Sequence, residues 1–565
     1  MKLTGAQIVI ESLIKENVEV VFGYPGGAIM NVYDEIYKQD KFKHILTKHE
    51  QGAVHMADGY ARATGKVGVA MVTSGPGLTN AVTGIATAYT DSIPMVVISG
   101  QVPTFAIGTD AFQEVDAVGV TRPITKHNFL VKNVDDLAYI IKEAFYLAKT
   151  GRPGPVHIDI PKDVTIAKAK FEYPEKIELK TYKPTYKGNI RAIKRAAEAI
   201  KKAKRPVFYI GGGAVLSGAY QLIRELVKLT KIPSVETLMA RGVLRHDCPY
   251  LMGMVGMHGS YAANMAMNDA DLIISLGARF DDRVTGKIDE FAKNADIVHI
   301  DIDPSQIGKV VPTKYPIVGD LKLVLEEMMP FILDGLDSSR YEEWREILNR
   351  YQELYPLTYK DSADVIKPQW VIQKTGELAP EDAVISTDVG QHQMWTAQFY
   401  PFTYPRQLLT SGGLGTMGFG FPAALGAKRG VKERVVINFT GDGSIMMNIQ
   451  EVLTGYKYNL PVINIILNNN YLGMVRQWQT MFYEDRLSET DLSDVQPDFV
   501  KLAESMGGIG YRVKTKSEFE KAFIDALNSN KVAFIDVQVD RREDVLPMVP
   551  PNSPLKNMLI FKDEK

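Results

Sequence analysis

Two short polar loops carry the residues best suited to bind a metal ion. Asp442 lies in a Gly-Asp-Gly turn at 441–443 after an apolar run at 435–439, and three asparagines at 468–470 follow a second apolar run at 462–467. The segment between them, 444–458, has apolar residues at helical spacing, so the unit is predicted to be a parallel βαβ crossover. Because ligands of open α/β sheets bind beyond the carboxyl ends of the strands, both loops are expected at one site.

The chemistry predicted for these loops is the binding of Mg²⁺ and a diphosphate. The Asp442 carboxylate, the Asn469 amide oxygen and a backbone carbonyl in the following turn are hard oxygen donors, which suit Mg²⁺ and leave positions for phosphate oxygens. The glycines allow backbone N–H groups to approach the phosphates. Alone, a Gly-Asp-Gly turn is usually an ordinary strand-to-helix turn, but the asparagines after a complete βαβ unit favour the metal site.

The length and composition indicate a globular enzyme of several domains. The chain has 565 residues and a formal net charge of −2, with 45% apolar and 23% charged residues, and this length suggests roughly three or four domains. The nearly neutral charge indicates no nucleic-acid surface, and a single cysteine, Cys248, excludes a disulfide framework. No apolar run is long enough to span a membrane, and no targeting segment is recognised, so a cytoplasmic enzyme is expected.

Alternating helical and β-branched runs predict an α/β fold with parallel sheets flanked by helices. Three domains are expected, at residues 1–180, 189–335 and 365–565, the last with an irregular C-terminal extension from residue 541. Polar stretches at 171–188 and 341–360 are interpreted as linkers. The outer segments have similar lengths and rhythms and could be related domains, although no direct sequence repeat is visible.

The middle segment has the pattern of a nucleotide-binding sheet. Strand-like runs at 206–210, 271–276 and 297–301 are each followed by polar or small residues, and three glycines at 211–213 follow the first run. A glycine-rich strand end is suggestive of a nucleotide site, but such ends are also common turns. From the residues alone, both interpretations stay open.

A second candidate site surrounds Glu50, in the segment Lys-His-Glu-Gln-Gly-Ala at 48–53. A glutamate at a helix start is often only a charge that favours the helix dipole. Together with Tyr-Pro-Gly-Gly at 24–27, Ser-Gly-Pro-Gly at 74–77 and the Gly-Asp-Gly turn, however, the segment resembles the thiamine diphosphate enzymes. In these enzymes a glutamate hydrogen-bonds the aminopyrimidine ring and promotes the tautomer that takes the proton from the thiazolium carbon.

Further motifs resemble the catalytic (large) subunit of acetohydroxyacid (acetolactate) synthase, in order and over almost the whole chain. They are Glu-Gln-Gly-Ala-Val-His at 50–55, Ala-Phe-Gln-Glu at 111–114, Thr-Lys-His-Asn at 125–128, Arg-Phe-Asp-Asp-Arg-Val-Thr-Gly at 279–286, Val-Gly-Gln-His-Gln-Met-Trp at 389–395 and Leu-Gly-Met-Val-Arg-Gln-Trp at 472–478. The resemblance implies two outer domains that bind thiamine diphosphate and a central Rossmann-like domain that binds FAD, which is expected to be structural.

The resemblance also implies the reaction. Pyruvate is decarboxylated on thiamine diphosphate, and the hydroxyethyl carbanion condenses with a second 2-oxoacid. Pyruvate as the second substrate gives 2-acetolactate and 2-oxobutyrate gives 2-aceto-2-hydroxybutyrate, the first step toward valine, leucine and isoleucine. An FAD-dependent pyruvate oxidase is the alternative, against which the 279–283 stretch and Trp478 argue.

The implied assembly is a homodimer or homotetramer in which the cofactor lies between subunits. Glu50 of one chain would face Asp442 of another. A small regulatory subunit usually joins the biosynthetic members of this family, and nothing in the chain decides whether one does here.

The resemblance assigns a role to each candidate residue. Glu50 would activate the cofactor, Gln113 would contact the reacting carbonyl region, and Arg283 would grip the substrate carboxylate, as a planar guanidinium can. An Asp282–Arg283 surface pair is the alternative for the last. Trp478 would line the substrate channel and favour 2-oxobutyrate, unless it is a core tryptophan. The Mg²⁺ ligands would be Asp442, Asn469 and the carbonyl of Tyr471.

The cofactor contacts implied by the resemblance fall in two groups. Thiamine diphosphate would be held by Pro25, Glu50, Val389, Gly390, Gln391, His392, Gly415, Met417, Gly441, Asp442, Gly443, Ser444 and Met474. Of these, Met417 would impose the bent shape of the cofactor, whereas outside the family it would be interpreted as core filler. FAD would be held by Arg152, Gly211, Gly212, Thr237, Leu238, Met239, Gly256, Met257, His258, Gly277, Arg279, Asp301, Ile302, Gly319 and Asp320.

Overall fold

The computed structural model describes residues 2–561, which form three six-stranded parallel sheets and one two-stranded antiparallel ribbon. The strands are β1 (Lys2–Thr4), β2 (Val20–Gly23), β3 (Lys43–Leu46), β4 (Gly68–Val72), β5 (Met95–Gln101), β6 (His127–Leu130), β7 (Pro155–Pro161), β8 (Lys168–Lys170), β9 (Pro206–Ile210), β10 (Ser234–Glu236), β11 (Leu251–Met254), β12 (Leu272–Leu276), β13 (Asp296–Asp301), β14 (Tyr315–Val318), β15 (Val384–Thr387), β16 (Leu408–Leu409), β17 (Val436–Gly441), β18 (Ile463–Asn468), β19 (Ile509–Val513) and β20 (Ala533–Gln538).

Helices cover both faces of the sheets. They are α1 (Gly5–Lys15), α2 (Met30–Tyr37), α3 (Glu50–Thr64), α4 (Pro76–Thr90), α5 (Ala117–Thr121), α6 (Leu137–Lys149), α7 (Lys162–Ile166), α8 (Ile190–Lys202), α9 (Gly212–Leu216), α10 (Tyr220–Thr230), α11 (Tyr261–Asp269), α12 (Asp282–Thr285), α13 (Leu321–Leu333), α14 (Glu342–Leu354), α15 (Pro368–Leu378), α16 (Gln391–Phe399), α17 (Gly420–Gly430), α18 (Asp442–Ile445), α19 (Val452–Lys457), α20 (Gly473–Phe482), α21 (Phe499–Ser505) and α22 (Lys516–Ser529). Short 3₁₀ helices lie at Thr104–Ala106, Arg122–Ile124, Val134–Asp136, Leu238–Ala240, Ile288–Glu290, Ser338–Tyr341 and Met446–Glu451. Within residues 2–561, none of these helices is both long and apolar enough to cross a membrane.

The strand orders confirm the predicted fold class. The first sheet has the order β3-β2-β4-β5-β7-β6 and the third the order β16-β15-β17-β18-β20-β19, so the two outer domains share one topology. The central sheet has the order β11-β10-β9-β12-β13-β14, which is the doubly wound order of a Rossmann domain. The predicted domain limits of 1–180, 189–335 and 365–565 stay a prediction.

The sheets are buried on both faces, which explains why their strands appear in the sequence as continuous apolar runs. All residues of β4, β5, β9, β12, β17 and β18 are buried. Two parallel strands can be joined only by a crossover connection, and helices provide most of these connections here. The carboxyl ends of β15 and β17 therefore meet at the point where the strand order of the third sheet reverses, where such sheets bind ligands.

The first and third domains of one chain contact each other through helices α3 and α17. A Cβ on Gly59 of α3 would overlap the backbone of Ala423, and a Cβ on Gly426 of α17 would overlap the backbone of Met56. Only glycine therefore permits the two helices to approach so closely. This contact fixes the amino terminus of α3, where Glu50 lies, relative to the third domain.

Two local predictions were wrong. The segment 341–360, interpreted as a linker, contains helix α14, because Trp344 and Leu348 are buried in the core of the middle domain. The single helix expected over 444–458 is instead divided into α18, a 3₁₀ segment and α19, with a non-helical backbone at Asn448. The Asn448 amide donates to the carbonyl of Gly418 at 2.8 Å, so this bend serves a contact with the loop before α17.

Candidate active site

Asp442 lies at the carboxyl end of β17 and is the first residue of α18. It is buried, its Oδ2 accepts a hydrogen bond from Gln496 Nε2 at 2.7 Å, and its Oδ1 is buried without a hydrogen-bond partner among the described residues. Burial raises the pKa of this carboxyl to about 7. A buried carboxylate oxygen without a partner is costly, and a cation there would stabilise it.

Asn469 lies one residue beyond the end of β18 and faces the same edge of the sheet. Its Oδ1 accepts from the backbone N–H of Tyr471 at 3.1 Å, which shapes the turn, and its Nδ2 donates to Gln391 Oε1 at 3.2 Å. No group of three or more His, Cys, Asp or Glu side chains suited to a metal occurs within residues 2–561. A donor set of one carboxylate, one amide and one carbonyl fits Mg²⁺ that also binds phosphate oxygens.

The 389–392 segment joins β15 to α16 and packs against Gly441. The backbone of Gly390 has a φ of +157°, and a Cβ there would lie 2.7 Å from the His392 ring. Burial lowers the pKa of His392 to about 3, and its Nε2 has no hydrogen-bond partner among the described residues. Ser444 Oγ donates to the carbonyl of Val389 at 3.4 Å. These residues form a compact polar edge beside Asp442.

A cavity of about 810 Å³ extends from the middle domain to the third domain. Its walls include all but one of the residues predicted to hold FAD: Arg152, Gly211, Gly212, Thr237, Leu238, Met239, Gly256, Met257, His258, Gly277, Arg279, Asp301, Ile302 and Asp320. The exception, Gly319, does not line the cavity, and a Cβ there would contact Val324 and Gly188. The structure therefore brings these residues together, and their role in FAD binding stays a prediction.

The cavity lies at the point where the strand order of the central sheet reverses, between β9 and β12. A Cβ on Gly211 would overlap the backbone at Ala278. The loops that follow β9 and β12 are therefore in direct backbone contact beside the cavity. Burial raises the pKa of Asp301 to about 6 and lowers that of His258 to about 4. Dinucleotides bind at this position of a doubly wound sheet, so the fold and the cavity fit FAD.

The same cavity reaches the residues predicted to contact the thiazolium end of thiamine diphosphate. Val389, Gly390, Gly415, Met417 and Met474 all line it, together with Arg283 and Trp478. Met417 therefore faces the cavity and is not core filler. One enclosure thus connects the predicted flavin site to the predicted reaction site.

Arg283 and Trp478 are both accessible from this cavity. The Arg283 side chain is 63% exposed and lies 3.7 Å from Asp282, so the surface pair weighed as an alternative is present, but such pairs contribute little. The core tryptophans are Trp344 and Trp395, whereas Trp478 is half-buried and also lines an apolar groove of about 690 Å³ along α20. Trp478 therefore does not have the environment of a core residue.

Pro25, Glu50 and Gln113 lie at the edge of the first sheet and do not line this cavity. Glu50 is half-buried, and its Oε2 accepts from Asn80 Nδ2 at 3.0 Å. Gln113 has a φ of +63° and packs its backbone against Gly75, which leaves Phe112 beside it 89% exposed. Within one chain, these three residues therefore lie outside the cavity that Met417 and Met474 line.

Several residues that support the site gave no signal in the sequence. Arg62 and Asp91 of the first domain form an ion pair at 2.9 Å, and the Asp91 carboxylate accepts from the backbone N–H groups of Gly412 and Gly413. This pair holds the loop that contains Gly415 and Met417. Gln496, the partner of Asp442, lies in a polar loop that sequence periodicity does not distinguish from any other.

Three family models match successive segments of the chain. Residues 3–120 match the N-terminal TPP binding domain of thiamine pyrophosphate enzymes, residues 193–328 the central domain, and residues 388–537 the C-terminal TPP binding domain. The fold and the site therefore define a thiamine pyrophosphate enzyme.

Curated relatives that match over their full length identify one family within this class. The chain is 48% identical to the acetolactate synthase large subunit of Haemophilus influenzae and to the acetolactate synthase isozyme 3 large subunit of Escherichia coli, in each case over 100% of this chain and 99% of the relative. It is 47% identical to a probable acetolactate synthase large subunit of Methanocaldococcus jannaschii over 99% of this chain and 95% of that protein. The chain belongs to the acetolactate synthase large-subunit family.

Proposed function

We propose that this chain catalyses the synthesis of 2-acetolactate from two pyruvates and of 2-aceto-2-hydroxybutyrate from pyruvate and 2-oxobutyrate. The observation that supports this best is the single cavity that joins the carboxyl edge of the central sheet to Met417, Met474, Arg283 and Trp478. Thiamine diphosphate, when bound, supplies the carbon nucleophile that attacks the 2-oxoacid and stabilises the charge left by loss of CO₂.

The residues of the chain bind and orient the reactants. Asp442, Asn469 and the carbonyl of Tyr471 would hold Mg²⁺ with the diphosphate, and the 389–392 segment would cover it. Glu50 would exchange a proton with the aminopyrimidine ring. The Arg283 guanidinium would bind the carboxylate of the second substrate, and Trp478 would pack against its alkyl chain, for which 2-oxobutyrate offers one more methylene than pyruvate.

FAD is proposed as a structural cofactor of the middle domain. The condensation moves a carbon fragment without net loss of electrons, so flavin in the protein should show no net reduction during turnover. The rival pyruvate oxidase would transfer electrons to this flavin. Stopped-flow absorbance of bound FAD under pyruvate distinguishes the two, because stoichiometric bleaching as fast as turnover would favour the oxidase.

We further propose that the active form is a homodimer or homotetramer. Glu50 does not line the cavity that Met417 and Met474 line, and Phe112 and Phe105, which are 89% and 82% exposed, flank the Gln113 loop where a second chain would cover them. A small regulatory subunit is also proposed, because the relatives named above are large subunits. Light scattering with and without candidate small subunits tests both proposals.

The direct test of function is a product assay. Purified protein would be supplied with pyruvate alone and with 2-oxobutyrate added, with each of thiamine diphosphate, Mg²⁺ and FAD omitted in turn. We expect 2-acetolactate in the first case and both products in the second. Formation of acetate or acetyl phosphate in place of acetolactate would overturn the proposal.

A further inference from the structure

Glu451, in the third domain, reaches across to the first domain and contacts the backbone just before Glu50. Its Oε1 accepts from the N–H of Lys48 at 2.9 Å and from the N–H of His49 at 3.1 Å. Its Oε2 accepts from Thr454 Oγ1 at 2.6 Å. One carboxylate thus joins the start of α19 to the amino terminus of α3.

This carboxylate is deeply buried. Glu451 has no exposed surface, and no lysine or arginine forms a salt bridge with it among the described residues. Burial raises its pKa to about 7. A buried carboxylate without a cation is costly unless hydrogen bonds satisfy it, so the amides of Lys48 and His49 are essential partners.

The approach of Glu451 also requires the glycine at position 52. A Cβ on Gly52 would lie 2.5 Å from Glu451 Oε1. Glycine in the first turn of a helix is otherwise unfavourable relative to alanine. The sequence around Glu50 therefore accommodates this one carboxylate at the cost of intrinsic helix stability.

The backbone held by Glu451 determines where Glu50 lies. His49 caps α3 by accepting from the N–H of Gln51 through Nδ1, and Glu50 is the next residue. The only hydrogen bond to the Glu50 carboxylate among residues 2–561 comes from Asn80. A displacement of about 1 Å in a reacting group can lower a rate by roughly 10²-fold. A shift of the backbone at 48–49 would displace Glu50 and should lower the rate of the step in which Glu50 takes part.

We propose that Glu451 is a positioning residue for Glu50: it holds the amino terminus of α3 in register so that the Glu50 carboxylate meets the cofactor. This rests on the proposed role of Glu50. It predicts that Glu451 affects the activation of bound thiamine diphosphate more than the affinity for it, since the proposed Mg²⁺ and diphosphate contacts do not include Glu451.

The first test measures the exchange of the thiazolium C2 proton of bound thiamine diphosphate by quenched-flow NMR, without substrate. We expect Glu451→Ala to slow this exchange by roughly 10²-fold and to change cofactor affinity by less than threefold. Glu451→Gln keeps one acceptor oxygen for both amides, so its exchange should stay within about threefold of the wild type. Exchange in Glu451→Ala within twofold of the wild type would overturn the proposal.

A second readout needs no cofactor. Amide hydrogen exchange of the cofactor-free protein, followed by mass spectrometry, should become faster at residues 47–53 in Glu451→Ala, because the partners of the Lys48 and His49 amides are lost. The matched control is Glu16→Gln, which removes a buried partner of Lys142 and Tyr173 elsewhere in the first domain. This control should change neither the amide hydrogen exchange at residues 47–53 nor the exchange of the C2 proton.

A third variant addresses the case in which Glu451→Ala does not fold. Gly52→Ala keeps the glutamate at position 451 and raises the intrinsic stability of the helix. Its added methyl group should push the Glu451 carboxylate away from the Lys48 and His49 amides, so it should also slow C2 exchange. Normal C2 exchange in Gly52→Ala, with α3 intact, would contradict the proposal. Glu50→Gln separates the two claims: normal exchange in that variant refutes the role of Glu50, whereas slow exchange in it and normal exchange in Glu451→Ala refute only the positioning.

Discussion

The first and third domains have the same strand order, but two of their buried polar clusters differ in hydrogen bonding. In the first domain, Ser99, His157 and Asp159 form a closed network on β5 and β7. Ser99 Oγ donates to Asp159 Oδ1 at 2.5 Å, Gln101 Nε2 donates to Oδ2 at 2.9 Å, and both ring nitrogens of His157 have partners. In the third domain, Asp442 Oδ1 and His392 Nε2 have none among the described residues.

In these two clusters, the hydrogen-bonding state is more informative than the residue types. A serine, a histidine and an aspartate in one hydrogen-bonded network suggest hydrolytic chemistry, yet all three are buried and their hydrogen bonds are satisfied within the domain, so the network is structural. Asp442 and Asn469 resemble an ordinary turn, yet they keep free lone pairs at the ligand-binding edge. Between these two clusters, the Oδ1 of Asp442, unpartnered within the described part of the chain, distinguishes the candidate metal site from the closed network.

The largest effect is expected at Glu50. Glu50→Gln should lower turnover by at least about 10²-fold, because an amide cannot exchange the proton that a carboxylate can, while thiamine diphosphate binding stays near normal. Steady-state kinetics and a binding titration would measure the two. Asp159→Asn serves as the control from the same domain and should retain most of the activity. Wild-type rates of acetolactate formation by Glu50→Gln would remove this residue from the mechanism.

Asp442→Ala should lower the Mg²⁺-dependent affinity for thiamine diphosphate by about 100-fold or more, because the metal loses the only charged side chain of its proposed donor set. Isothermal titration with and without Mg²⁺ would show the loss. If the titration matched that of the wild type, Mg²⁺ would have to bind elsewhere, and the contrast between the two buried clusters would lose its functional meaning.

Asp301→Ala or Arg279→Ala should weaken FAD binding by roughly 10-fold and reduce the thermal stabilisation that FAD confers, since a ligand stabilises the native state by mass action. Asp296→Ala is a matched control at the opposite end of β13, where the carboxylate is paired with Lys314 at the surface. Equal loss of FAD in the control and the test variants would contradict the proposed flavin site.

A smaller, pH-dependent effect is expected from Asp159. Burial raises its pKa to about 7, so the stabilising contribution of its protonated form is complete below the usual carboxyl pKa and is lost as the pH rises through about 7. Asp159→Asn should therefore show a melting temperature that falls less than that of the wild type between pH 5 and pH 8, by roughly 1–3 °C. An identical fall in both proteins would show that this carboxyl does not titrate as proposed.

Much of the fold was predictable from the sequence. Buried parallel strands are continuous apolar runs, so β9 was expected at 206–210 and is found there, and β17 and β18 were expected within a residue or two of their ends. Helix α14 was not expected, because its exposed faces are highly charged and only Trp344 and Leu348 are buried. The bend at Asn448 follows from a contact with Gly418, which sequence periodicity does not encode.

Sequence motifs were sufficient to select Glu50, Asp442 and Asn469 as candidates, and their roles stay predictions. Residues that act by long-range contact could not be selected in this way. Glu451, Gln496 and the Arg62–Asp91 pair are ordinary helix or loop residues in the sequence, and their roles follow from partners that are hundreds of residues away or in another loop. Gly319 was selected from its motif alone; it does not line the cavity, and its role in FAD binding stays a prediction.

Glu50 of one chain and Asp442 of another are expected to complete one site, and a mixed dimer tests this arrangement most directly. Glu50→Gln and Asp442→Ala, each inactive alone, would be co-produced with different tags, and the mixed dimer would be purified and assayed for 2-acetolactate. If each site uses both chains, one of the two sites in every mixed dimer is intact, and about half of the wild-type activity per dimer is expected. No activity in the mixed dimer would place both residues of a site in one chain and contradict the account.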